Sequence, residues 1–218
     1  MTVREILAKV NLRCNKSASM DYDNIWKYQV KEAYNKEVLD LVRRLVKGKT
    51  NTLEGDEETS SRVDDLQILL DTKPLSSKNK GVYNETEKLP SNYLYHKRVT
   101  PIASKDECSG VRLTSHLKEE ANVDELHGYP SFDFEETFHT LKKNKINIYH
   151  ENDFEITEVD LTYYRLPKKV TFVKLDEVLE FNDGFCELIV DNMARLLNSD
   201  SESLNQKGLA EERVEKII

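Results

Sequence analysis

At 218 residues, with 38% hydrophobic and 33% charged residues and no run approaching the 18 apolar residues of a membrane span, the chain reads as soluble and unexported, one domain or a domain with an excursion. Its three cysteines, Cys14, Cys108 and Cys186, are odd in number and form no C-x-x-C pair, which predicts reduced thiols in a cytosolic setting. The formal charge of −8 divides unevenly: residues 1–50 hold 11 Lys/Arg against 6 Asp/Glu and the remainder 21 against 34, leaving +5 and −13, so nucleic-acid recognition is disfavoured everywhere except the basic N-terminal part.

Thr2 followed by Glu5 is a capping-box signature, and Val3, Ile6, Leu7 and Val10 recur behind it at helical spacing, predicting a first helix that ends near Arg13. The polar stretch 15–22 leads into the element around which the chain is organised, a long helix over about 24–47. Asp23 or Asn24 caps its start and Gly48 takes the left-handed turn at its end. Val30, Tyr34, Val38, Leu41, Val42 and Leu45 form its apolar stripe, and Lys31, Lys36, Arg43, Arg44 and Lys47 give it a basic outer face. That face is either a solvated surface or a contact with something outside the domain.

Ser60, Arg62, Val63, Leu66, Leu69 and Leu70 predict a third helix closed by Pro74. The acidic residues Glu54, Asp56, Glu57 and Glu58 sit at its start, where they offset the helix dipole; they lack the ligand spacing of a calcium loop. Residues 74–90 read as a crossing loop. Strand chemistry follows, in Tyr93–Ile102, in Val111, Leu113 and Ser115, and in a hairpin over Phe138–Tyr149 that turns at Lys143-Asn144. Phe154–Tyr164 continues as strand, and Val170, Phe172, Val173 and Leu175 add one more. Between them LKEEANVDELHGYP, 117–130, reads as a short acidic helix. Four to six strands, mostly antiparallel, are expected.

Asn182 or Asp183 caps a closing helix whose stripe is Phe185, Leu188, Ile189, Met193, Leu196 and Leu197. The expected organisation is a helical part over 1–73, a mainly β part over 74–181, the closing helix over 182–198 and an extended polar tail over 199–218.

No phosphate-binding glycine loop, nucleophile elbow or zinc-protease motif occurs. His116, His127, His139 and His150, with Cys108, match no zinc spacing, so neither metal nor cofactor is expected. Adjacent carboxylates such as Asp64-Asp65, Glu119-Glu120 and Glu135-Glu136 follow from composition in a chain with 40 acidic residues and receive no catalytic role. Ten tyrosines and Trp26 suit amphipathic rings at interfaces or a tyrosine-filled sheet face. A small hydrolase or nuclease using histidines and carboxylates of the β part, and a nucleic-acid-binding accessory protein working through the basic helix, are the alternative functions.

The order of several stretches carries more information than any one of them. DYDNI (21–25), EAYNKEVLDLVRR (32–44), EGDEETSSRVDDLQILL (54–70), LPSNYLYHKRV (89–99), ETFHTLKKNKINIYHENDFEI (136–156), LTYYRLPKK (161–169) and DNMARLLNSDSESLNQ (191–206) together resemble the ring, or head-to-tail adaptor, proteins of crAss-like and related tailed phages of gut Bacteroidetes. The resemblance implies a structural virion protein, assembled in the host cytoplasm, that forms a ring of twelve copies around the DNA channel between the portal and the tail. It implies no catalysis, no membrane and no sequence-specific contact with the passing DNA. It also implies an α+β fold: a helical bundle of three N-terminal helices and a C-terminal helix, with a middle antiparallel β excursion. The interface candidates are Arg43 and Arg44, facing Asp64-Asp65 or Glu119-Glu120 of a neighbouring copy, together with Tyr163, Tyr164, Arg165, Glu202, Ser203, Asn205 and Gln206 from the last two motifs.

Overall fold

The computed structural model describes residues 1–17, 26–46, 66–106, 108–120, 135–150 and 154–197. They divide into two compact units, one of Met1–Ile68 with Pro167–Ile218 and one of Leu69–Leu166.

In the first unit, α1 (Val3–Ser17) starts as its capping box predicts. The Glu5 N–H donates to Thr2 Oγ1 at 3.3 Å and the Thr2 N–H to the Glu5 carboxylate at 2.9 Å. The next two free N–H groups, of Val3 and Arg4, donate to the carbonyls of Glu177 and Leu175 at 3.1 and 2.9 Å. Val3, Ile6, Val10 and Cys14, spaced three or four apart, are fully buried. α2 (Lys27–Val46) starts at Trp26, whose N–H donates to Gln29 Oε1 at 3.0 Å. The expected caps Asp23, Asn24 and Gly48 lie outside the described residues. α2 buries Val30, Tyr34, Val38, Leu41 and Val42 of the predicted stripe, with Ala33 and Glu37 beside them, and leaves Leu45 half-buried. α3, residues 183–197, is capped by Asn182, which accepts the Phe185 N–H at 2.7 Å. Its buried face is Phe185, Cys186, Ile189, Val190, Met193 and Ala194, rotated slightly from the predicted stripe so that Leu188 is exposed.

Val170, Phe172, Val173 and Leu175, expected to add a strand, instead lie in an irregular strap over residues 167–181. Asn35 explains why: its side-chain amide accepts the Val170 N–H at 2.9 Å and donates to the Val170 carbonyl at 3.0 Å. Both main-chain groups of that residue are thereby satisfied without a neighbouring strand. Phe172, in the left-handed region at φ 59°, packs edge-on against Tyr34 with ring centres 6.0 Å apart.

α1 and α3 are joined on their polar sides by Glu187, which pairs with Lys9 and Arg13, and by Asp191, which pairs with Arg13 at 2.7 Å. The Lys9 hydrogen bond, with help from Arg13, holds the Glu187 carboxyl below its ordinary value. A depressed carboxyl contributes stability that is complete above its unfolded value and disappears as pH falls through its folded value. The stability advantage of the wild type over Glu187→Gln is therefore expected at neutral pH, should begin to fall near about pH 4.5 and should vanish only once the pH has dropped below the depressed value in the folded chain. Urea titrations of both proteins across that range check it; a gap that persisted in acid would show that the pair acts by packing instead.

The second unit is a closed barrel. β3 (Tyr93–Lys105), β5 (Thr114–Leu117), β6 (Glu136–Lys142), β7 (Lys145–Tyr149), β2 (Tyr83–Thr86), β1 (Leu70–Asn79) and β8 (Glu155–Arg165) follow one another around it, and β8 pairs back onto β3. β5 and β6 are parallel and every other pairing is antiparallel. β4 (Cys108–Arg112) is an eighth strand on the end of β3 not used by β5. β6 and β7 form the predicted hairpin: Lys143 and Asn144 have φ 49° and 63°, the two left-handed residues of a tight turn whose twist matches the strands. Leu75, Val99, Ile146, Ile148, Val159 and Leu161 are fully buried in its apolar core. Polar side chains share the interior: Asn84 donates to the Ile156 carbonyl at 3.0 Å and accepts from His150 Nε2 at 2.8 Å, and Ser77 also donates to Ile156.

This architecture overturns the expected helical bundle with a β excursion. Among the described residues there are three helices, and strands predominate. Of the expected third helix only Leu66 and Gln67 are helical among the described residues; Leu70 already belongs to β1, and Pro74 lies inside that strand opposite Asp160. The expected crossing loop over 74–90 contains most of β1 and all of β2. Closure is the physical reason. β1 pairs with β8 over residues 70–76 and with β2 over residues 77–79, so it holds its place with Leu75 as its one buried side chain and shows no apolar alternation to read.

Candidate interaction surface and a buried histidine pair

The expected interface residues fall in different settings. Arg43 and Arg44, in the last turn of α2, are half exposed and partly neutralised along their own helix, by Asp40 at 3.6 Å and Glu37 at 3.5 Å. Their positive charge also suits the negative end of the helix. Trp26 and Tyr28, at the opposite end of α2, are 73% and 69% exposed. Asp64, Asp65, Glu202, Ser203, Asn205 and Gln206 lie outside the described residues.

In the barrel, Glu119 is exposed, whereas Glu120 accepts hydrogen bonds from Lys142 Nζ and Thr140 Oγ1, which hold its carboxyl below the ordinary range. Tyr163 is buried: its ring stacks on Tyr93 at 5.8 Å and its hydroxyl donates to Asn92 at 3.0 Å. Its side chain serves the barrel core and offers no surface to a neighbour. Tyr164 and Arg165 are half-buried.

The histidines considered as zinc ligands do not converge. His116 and Cys108 are exposed, His150 is bonded to Asn84, and His127 lies outside the described residues. A different pair meets. His139 of β6 is fully buried and its Nε2 lies 3.1 Å from Nε2 of half-buried His96 on β3. Its Nδ1 lies 2.8 Å from Oγ of Ser115 on β5, the strand between them. Burial, then the neighbouring imidazoles of His96 and His116, push His139 down to about 3, and burial lowers His96 as well. Both rings are neutral at pH 7. The signal for this pair was absent from local spacing, because His96 and His139 are 43 residues apart and meet only through the order of strands. Among the described residues no group of three or more His, Cys, Asp or Glu side chains is placed to hold a metal ion.

No helix of the described residues is long and apolar enough to cross a membrane. No protein-family model matches the chain, and no curated protein is similar to it.

Proposed function

We propose that the chain is a structural ring protein of a tailed-phage head-to-tail connector, assembling head to tail into a ring of twelve copies that bridges portal and tail around the DNA channel. The observation that carries this reading is the ordered series of motifs from DYDNI to DNMARLLNSDSESLNQ, which spans 21–206. It does not rest on the helical-bundle expectation, which the barrel replaces.

Physical support comes from surface chemistry. A ring made by one repeated contact needs two different, complementary patches on each copy. Half-exposed Arg43 and Arg44 and exposed Trp26 and Tyr28 are residue types enriched where proteins meet, and the chain beyond residue 50 is acidic enough to complement a basic face. Twelve copies at −8 carry on the order of a hundred negative charges, which favours free passage of DNA over adhesion. The tail over 199–218 is the segment assigned to an adjacent virion protein.

Mass photometry of the purified protein, alone and with its portal, tests the reading. Particles of about twelve times the 25.3 kDa chain, or a ring of that stoichiometry on the portal, are expected. A strictly monomeric protein in both samples would end it.

A further inference from the structure

His96, Ser115 and His139 come from three consecutive strands of the barrel wall, β3, β5 and β6. Ser115 is in register with Val99 on one side and Thr137 on the other, and its hydroxyl meets His139 at Nδ1, the ring nitrogen that does not face His96. His139 has no exposed surface and both its nitrogens are engaged, so its ring cannot turn without breaking a contact. His96 is the member of the pair that reaches solvent.

Two arrangements bring the Nε2 atoms of two neutral imidazoles within 3.1 Å. One is an N–H···N hydrogen bond. The other is convergence of two lone pairs on a cation, since two nitrogens each about 2.0–2.1 Å from a tetrahedral ion are about 3.3 Å apart. The ring centres are 5.0 Å apart and the ring planes are tilted by 46°, a geometry that accommodates either arrangement. Ser115 suits the second arrangement: its hydroxyl can accept from His139 Nδ1–H, and in that tautomer the Nε2 lone pair is free, as behind a metal-bound histidine.

We propose that His96 and His139 form a two-imidazole site for a late first-row divalent cation, with Ser115 orienting His139 and water completing the coordination on the solvent side of His96. Imidazole nitrogen favours copper, nickel and zinc over magnesium or calcium, and copper(II) binds tightest in the general order for nitrogen ligands. Bound metal clamps β3 to β6 across β5, and because it binds the folded barrel alone it raises the barrel's thermal midpoint.

The test uses tag-free full-length protein freed of metal by chelation and titrated with copper(II), nickel(II) or zinc(II) chloride by calorimetry. Electron paramagnetic resonance of the copper sample reads the ligands. One copper per chain is expected, with hyperfine splitting from two imidazole nitrogens, and weaker binding of nickel and zinc. His96→Asn, at a half-buried position, should keep the fold by circular dichroism and lower copper affinity by at least about 100-fold. Ser115→Ala should lower it by about 10- to 100-fold, the loss associated with removing a group that orients a ligand. Copper binding equally tight in wild type and His96→Asn would overturn the proposal, as would a spectrum showing one nitrogen. Either result assigns the contact to an N–H···N bond.

Discussion

Replacing Leu161 by alanine is expected to cost the barrel about 2–5 kcal/mol, the range for removing a large aliphatic side chain from a packed core. Leu161 is fully buried, and its strand, β8, closes the barrel. Its register partners are Lys73 of β1 on one edge and Val99 of β3 on the other. A cavity there loosens contacts on both sides of the closing strand, and with hydrogen bonds on both edges the backbone has little room to collapse into it. The control is Val82→Ala in the turn between β1 and β2, where the side chain is 53% exposed and the change should stay within about 0.5 kcal/mol. Urea denaturation of both variants, followed by amide exchange across β8, gives the comparison. Equal costs for the two would mean that β8 does not close a packed barrel. The expected loss is a large part of the about 5–15 kcal/mol that holds a typical domain together, so Leu161→Ala should also expose β8 amides to exchange early.

The helical unit was largely legible because its signals are local. Thr2 and Glu5 close their capping box, Asn182 caps α3, and the 3.6-residue stripe of α2 is buried as far as Val42, as its spacing requires. Lys143-Asn144 was legible for the same reason, since a two-residue turn needs left-handed residues and asparagine tolerates that region. The barrel was not. β1 has one fully buried side chain, and the interior accepts Ser77, Asn84 and His150 because each finds a partner inside, which erases the apolar alternation that marks a strand. Leu66, Leu69 and Leu70, read as the end of a helix, contribute two buried residues before a strand that starts at Leu70. Short apolar runs of this kind fit either period. The candidate site divides the same way. The exposure of Arg43 and Arg44 follows from their place off the α2 stripe. The burial of Tyr163 and the meeting of His96 with His139 depend on strand order, which no local pattern carries.

Reversing both arginines at the end of α2, Arg43→Glu with Arg44→Glu, is expected to abolish ring assembly while the chain remains folded. Within one chain the change places two carboxylates near Asp40 and Glu37 and at the negative end of the helix; the contact with half-exposed Asp40 costs about 0.3–1 kcal/mol, and the contact with buried Glu37, which also loses its partner, costs more. The helical unit should survive that, and its midpoint and circular dichroism provide the check. Between chains the consequence multiplies. Like charges brought together at an interface cost several kcal/mol, and each subunit of a closed ring presents the patch once, so every contact around the ring is weakened together. Mass photometry should then show the single chain where the proposed ring is expected of the wild type. The wild-type ring should itself loosen as salt rises from about 0.1 to 1 M, because the screening length falls from about 10 to 3 Å. The acidic partner can be found by restoring the pairing. Glu119 is exposed and Glu120 is already held by Lys142 and Thr140, so Glu119→Arg is the first compensating change in the barrel, and Asp64→Arg with Asp65→Arg is the alternative. Rescue by one and not the other identifies the face that α2 meets. Rings that form unchanged with both arginines reversed would exclude this helix end from the contact.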